Sequence, residues 1–149
     1  MAKKKMLFIY NPKAGKGQIK NNLSDIIDIF VKAGNEVTVY PTQYAGDAVR
    51  MAAEKSKKYA LLVCSGGDGT LDEVVTGIMQ SNKLVPVGYI PAGSTNDFAN
   101  SLGIPKNMKA AAETVVDGKL FACDIGAFND DTFVYIAAFG LFTDVSYET

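Results

Sequence analysis

The 149-residue sequence predicts an α/β fold: a parallel sheet with helices on both faces, followed by the start of a β-rich second domain. Three observations predict it. Short apolar runs without polar alternation, such as Tyr59-Ala-Leu-Leu-Val-Cys64, read as strands covered on both faces. Loops bearing glycines and hydroxyls follow these runs, and apolar residues at helical spacing come next, which is the order of a βα unit. After residue 118 the texture changes to two apolar runs around Asp130-Asp131, the pattern of a β-hairpin.

The first strand is Lys5 to Tyr10, ended by Pro12 in the loop Asn11–Gly17. Ile19, Leu23, Ile26, Ile27, Phe30 and Val31 form the apolar stripe of a helix that stops near Gly34. Glu36 to Tyr40 alternates and gives the second strand. Asp47 is placed to cap a helix that turns Ala48, Val49, Ala52 and Ala53 inward and Arg50, Glu54, Lys55 and Lys57 outward. The third strand, residues 59–64, runs through Ser65-Gly66-Gly67-Asp68-Gly69 into a helix expected to start at Thr70, where Thr70 and Glu73 have capping-box spacing. Leu71, Val74, Val75, Ile78 and Met79 are its inner face.

Leu84 to Ile90 is the fourth strand, with Pro86 near its start, where proline costs least. Ser94 and Asp97 have the spacing of a second capping box, with Phe98 and Leu102 on the buried side. Residues 107–116 form a helix with Ala111, Ala112, Val115 and Val116 inward, closed by Asp117-Gly118. Phe121–Asn129 and Thr132–Phe139 are the two halves of the hairpin. The boundary falls between a first domain, 1–118, and the opening strands of a truncated β-rich domain, 119–149.

Composition narrows the function. A hydrophobic fraction of 48% with interleaved charges fits a globular chain, and a net charge of −1 gives no ground for nucleic-acid binding. The absence of histidine excludes imidazole acid–base chemistry, and two isolated cysteines, Cys64 and Cys123, make no ordinary zinc site. Both lie in apolar surroundings and read as small buried residues of a reduced protein. No signal-peptide core and no bilayer-spanning run is found, so the expected location is cytoplasmic, peripheral to a membrane at most.

Chemistry concentrates in Gly66-Gly67-Asp68-Gly69-Thr70. Glycines can take positive φ and let a ligand approach the backbone closely. Amide groups at a helix start favour an anion, phosphate most readily. Asp68 would repel a bare phosphate unless it holds a cation, and Mg²⁺ travels with nucleotide triphosphates. Two readings stay open on the residues alone: a loop for Mg-nucleotide with Asp68 on the metal, or a tight turn with Asp68 as a solvated or capping residue. No G-x-x-x-x-G-K-[ST] motif occurs, and Asp72 stands where a Rossmann fingerprint needs glycine.

The string Gly66–Thr70 resembles the GGDGT signature of diacylglycerol kinases, sphingosine and ceramide kinases and NAD kinases, with a close variant in phosphofructokinases. The resemblance implies a phosphofructokinase/NAD-kinase-like nucleotide domain. Asn11-Pro12-x-x-Gly15 resembles the first lipid kinase motif, which lies beside the nucleotide; Lys13 and Lys16 either assist phosphate there or simply solvate the loop. Thr42 before Asp47-Ala48 resembles the second element, in which a strand-end threonine contacts nucleotide; a local backbone bond is the alternative. Pro91-Ala-Gly-Ser94-Thr95-Asn-Asp97-Phe-Ala99 resembles P-x-G-T-x-N-D-F-A, with serine for the usual threonine. It implies nucleotide contacts for Ser94 and Thr95, and a structural or catalytic-network role for Asp97, which otherwise reads as a helix-start carboxylate. Asp124 either joins Asp68 and Asp97 in an interdomain acidic network or is a strand-end polar residue.

By this resemblance the chain is the nucleotide-binding half of an ATP- and Mg²⁺-dependent lipid kinase, diacylglycerol kinase-like, acting on a lipid hydroxyl at a membrane surface. The lipid cleft and the carboxylate base are expected in the second domain. The alternatives are an NAD kinase-like phosphotransferase on the same fold and a non-catalytic nucleotide-binding module. Phe133, Tyr135, Phe139, Leu141 and Phe142 are expected to form an unpaired apolar edge through which the chain self-associates.

Overall fold

The computed structural model describes residues 3–81, 83, 85–92, 107–117, 120–124 and 133–137, the last two segments as backbone only. Strands β1 (Lys4–Tyr10), β2 (Asn35–Pro41), β3 (Leu61–Gly66), β4 (Val87–Pro91), β5 (Leu120–Asp124) and β6 (Phe133–Ala137) form one sheet in the order β2-β1-β3-β4-β6-β5. The first four run parallel, β6 adds parallel to β4, and β5 pairs antiparallel to β6. The helices are α1 (Ile19–Lys32), α2 (Asp47–Lys55), α3 (Asp68–Gln80) and α4 (Met108–Asp117), with a 3₁₀ turn at Ser56–Lys58.

Residues in register share a face of the sheet, and the two faces carry different helices. Phe8, Val63 and Gly88 lie in one row, and Phe30 of α1 meets Phe8 edge-on at 5.7 Å between ring centroids. α4 covers the same face: a Cβ on Gly88 would sit 2.9 Å from a methyl of Val115. Ile9, Cys64 and Tyr89 form the neighbouring row on the opposite face. There α2 and α3 pack against each other. Both sides of β1, β3 and β4 are thus buried, which is why these strands read as continuous apolar runs. Burial also pushes the Cys64 thiol up, so it stays protonated within the core.

Local differences from the expected elements have local causes. β3 continues to Gly66, and α3 begins at Asp68 with Gly67 as its N-cap. The Thr70–Glu73 capping box does not form: Thr70 is already helical and its N–H donates to the Gly67 carbonyl at 3.0 Å. The cap of α2 is likewise Gly46, at φ 92°, not Asp47, which is the first helical residue. β4 starts at Val87, one residue after Pro86. Val31, expected on the inner face of α1, is exposed, while Met51 of α2 is buried. The box of Ser94 and Asp97 lies outside the described residues.

The hairpin exists but joins the edge of the parallel sheet through β4 and β6. β6 thus pairs with β5 along Phe133–Ala137 and with β4 at Ile136 and Ala137, which puts Phe133 and Tyr135, expected at an unpaired edge, in a ladder with β5. The outer strands are β2 and β5. Phe139, Leu141 and Phe142 lie outside the described residues.

Candidate functional site

The C-terminal ends of β1, β2 and β3 open into one cleft of about 490 Å³. Asn11 to Ala14 line it from the loop after β1, Thr42 to Ala45 with Ala48 from the loop and helix after β2, and Gly67, Gly69, Thr70 and Glu73 from the start of α3. Open α/β sheets present ligand sites at this end of their strands.

The loop after β1 is held to its neighbour and to itself. The Asn11 N–H donates to the Ser65 carbonyl of β3 at 2.9 Å, and the Asn11 Oδ1 accepts the Lys13 N–H at 2.9 Å. Gly15 takes φ 54°, so its glycine is needed for the turn, but neither Gly15 nor Lys16 lines the cleft. Lys13 is the lysine that does. Thr42 is fixed by its N–H to the Tyr10 carbonyl at 2.8 Å, and among the described residues its hydroxyl forms no local backbone bond.

At the start of α3 the glycines do different work from one another. None of Gly66, Gly67 and Gly69 has positive φ, so the expected left-handed turn is not their reason. A Cβ on Gly66 would collide with the Thr70 hydroxyl and lie 2.7 Å from its Cβ; this glycine lets the buried Thr70 fold back over the strand end. A Cβ on Gly69 would meet nothing of the protein within 4 Å, although Gly69 lines the cleft. Gly67 caps α3 without any side-chain bond, so no cap side chain covers the first turn of N–H groups. Gly69 of that turn faces the cleft, which places its N–H where an anion could be held.

Asp68 does not line the cleft. Its Oδ1 accepts from the Tyr89 hydroxyl at 3.3 Å, and Tyr89 also reaches the Gly66 carbonyl at 3.1 Å. Burial first, then the neighbouring Cys64 and Asp68, raises the Tyr89 pKa, so the ring keeps its proton and remains a donor. Tyr89 thus ties the end of β3 and the first turn of α3 to β4. Sequence reading missed it, because a tyrosine in an apolar strand carries no signal of its bonding partner.

The β2–α2 loop is organised by Asp47, whose side chain is wholly buried. It accepts from the Tyr40 hydroxyl at 2.7 Å, from the Gln43 N–H at 2.8 Å, and from Arg50 Nη2 and Nε at 2.7 and 3.1 Å. Glu73, misread as half of a capping box, accepts the Gly46 N–H at 3.3 Å and links this loop to α3. Burial alone would raise the Asp47 pKa, but the bonds from Tyr40, Gln43 and Arg50 outweigh it and hold the pKa below the usual value. A depressed folded value means that this carboxylate stabilises the fold above its unfolded pKa of about 3.9, and that the contribution is lost as pH falls through the folded value. Asp47→Asn should therefore lower the urea midpoint at neutral pH and flatten its fall on acidification. Parallel urea titrations from about pH 6 to pH 3 test this, and equal slopes for both proteins would refute it.

Of the other residues singled out in the sequence, Ser94, Thr95 and Asp97 lie outside the described residues, and Asp124 ends β5 with only its backbone described. Among the described residues no group of three or more His, Cys, Asp or Glu side chains could hold a metal, and no helix is long and apolar enough to cross a membrane.

Comparison with known proteins agrees with this architecture. The family model described as diacylglycerol kinase catalytic domain matches residues 5–128. A diacylglycerol kinase of Staphylococcus saprophyticus is 39% identical over 99% of this chain and 48% of its own length; one of Staphylococcus aureus is 41% identical over 99% and 47%. A crystal structure of a diacylglycerol kinase from Bacillus anthracis superposes with a TM-score of 0.74 at 32% identity, over 80% of this chain and 41% of that one. The chain spans about half the length of these relatives. With Gly67, Gly69 and Thr70 of its GGDGT segment lining the cleft and the family model covering most of its length, the chain belongs to the diacylglycerol kinase catalytic domain family.

Proposed function

We propose that this chain is the nucleotide-holding half of an ATP-dependent lipid kinase that transfers the γ-phosphoryl group to the hydroxyl of diacylglycerol or a related lipid at a membrane surface. The observation that carries the reading is the cleft in which Gly67, Gly69 and Thr70 at the start of α3, the Asn11–Ala14 loop and Thr42 meet. The backbone at Gly67 and Gly69 holds phosphate, Lys13 supplies positive charge, and Asn11 and Thr42 bond the rest of the nucleotide. Membership of the diacylglycerol kinase family favours a lipid over NAD as acceptor.

Mg²⁺ fits this donor set as a partner of the nucleotide, not as a resident ion. It keeps several waters and takes one or two carboxylates along with substrate phosphates, so a full protein cage is not required. Asp68, between the cleft-lining Gly67 and Gly69 though not itself on the cleft surface, is the carboxylate that would hold it, directly or through one of those waters, and its Oδ1 accepts from the Tyr89 hydroxyl. Bound there, the ion would offset charge developing on the transferred group. Ser94 and Thr95 as nucleotide contacts, and Asp97 with Asp124 as an acidic network beside Asp68, belong to the same proposal. So does the division at residue 119, with the lipid cleft and the base assigned to the part of the relatives that this chain does not span.

The test is transfer of labelled phosphate from ATP to diacylglycerol in mixed micelles and to NAD. It compares this chain with a version extended to the relatives' full length. The short chain should bind Mg-ATP yet label lipid at least ~10²- to 10⁴-fold more slowly, the usual effect of lacking a general base. The extended chain should label lipid, and its Asp68→Ala variant should not. Labelling of NAD and no lipid would assign the protein to the other chemistry.

A further inference from the structure

We propose that Tyr44 is the surface on which the nucleobase stacks, so that its ring favours a nucleotide over a bare polyphosphate; this rests on the nucleotide reading above. Tyr44 is 58% exposed, and among the described residues only Val31 is another large apolar side chain left so open to solvent. Val31 stands alone on the outer side of α1, whereas Tyr44 lines the cleft together with Gly67, Gly69 and Thr70 of α3.

An exposed aromatic on a loop ordinarily samples several rotamers. This one is pinned. Its hydroxyl accepts from Arg50 Nε at 3.0 Å, and Arg50 is locked in turn by two bonds to the buried Asp47 and one to the Tyr40 hydroxyl at 3.1 Å. The preceding residue is fixed as well, because the Gln43 N–H donates to the same carboxylate. Gly46, two residues on, is tied to Glu73 of α3. The hydroxyl is used for anchoring, which leaves the ring as the exposed part.

A phosphate has no use for such a ring, whose negative face repels an anion. A purine base gains from it, and a preset ring spares the entropy of ordering a loop on binding. The cleft therefore holds two kinds of surface: open backbone at α3 for the charged end of the ligand, and a fixed aromatic for its flat end.

Calorimetry with Mg-ATP and with magnesium tripolyphosphate, which has the phosphates and no base, separates the two contributions. Stacking on an aromatic is worth ~1–3 kcal/mol per base, so Tyr44→Ala should weaken Mg-ATP by roughly 5- to 150-fold and leave tripolyphosphate within about twofold. Tyr44→Phe keeps the ring and loses the pin, and should lose much less than alanine does. An alanine variant that binds Mg-ATP as wild type does, or that loses both ligands equally, would overturn the proposal. A wild-type chain that binds neither ligand would instead overturn the nucleotide reading, and this one with it.

Discussion

Valine at position 69 should abolish nucleotide binding while leaving the fold intact. Gly69 sits in the first turn of α3, faces solvent, lines the cleft, and has no protein atom within 4 Å of where its Cβ would be. Any non-glycine residue is a better helix former there apart from proline, so the substitution costs the fold little. The new methyl groups instead occupy the space through which a phosphate reaches the helix-start amides. Hydrogen bonds to charged groups contribute ~1.5–3 kcal/mol each, and losing two corresponds to roughly a 10²- to 10⁴-fold loss of affinity. The control is Gly66→Ala, three residues earlier in the same motif. There the Cβ strikes the buried Thr70, and overpacking should cost the fold ~1–3 kcal/mol. Thermal melts and Mg-ATP calorimetry on both variants should dissociate the two effects. A Gly69→Val protein that melts as wild type and binds Mg-ATP as wild type would remove the start of α3 from the site.

These neighbouring glycines show how far the sequence could be read. The strand-to-helix joint, its place at the sheet's C-terminal end and its pull on anions follow from an apolar run, a glycine cluster and a helical stripe. The reason for each glycine does not, because it depends on what lies opposite: Thr70 across from Gly66, solvent across from Gly69. The same limit explains the caps. Asp47 and Thr70 have the right residue types at the right spacing, yet each is drawn one or more positions into its helix. Asp47 is bonded by Tyr40 and Arg50, and Glu73 by Gly46 across the cleft. Capping-box spacing reports one kind of local bond, whereas Asp47 is held by Tyr40 seven residues before it and Arg50 three after it, and Glu73 reaches Gly46, 27 residues away. The hairpin illustrates the point at larger scale. Its two strands were legible from their own pattern, whereas the pairing of β6 with β4, between residues 49 apart in the chain, left no local trace.

The opposite end of α3 holds the last large effect. Gly77 is where α2 and α3 touch: a Cβ there would collide with the Val49 carbonyl oxygen and lie 2.6 Å from the Ala52 Cβ and 2.9 Å from the Ala53 nitrogen. Glycine inside a helix costs ~1 kcal/mol relative to alanine, so its use here reflects the close approach of the two helices. Two of the three obstructing atoms are backbone and cannot rotate away. Gly77→Val should therefore destabilise the fold by ~3 kcal/mol, at the upper end of overpacking costs, and lower Tm by roughly 6–12 °C. The consequence reaches the cleft, because α2 carries Ala48 and the loop before it carries Thr42 to Ala45, while α3 carries Gly67 to Glu73. A wedge between the helices spreads these two walls and strains the Gly46–Glu73 bond that joins them. Mg-ATP affinity should accordingly fall in a variant that touches no ligand. Ala52→Gly in the same chain removes only the side-chain obstruction, so it should restore Tm in part. Full recovery of stability in that double variant, or unchanged affinity in Gly77→Val below its melting range, would show that the α2–α3 contact does not set the width of the cleft.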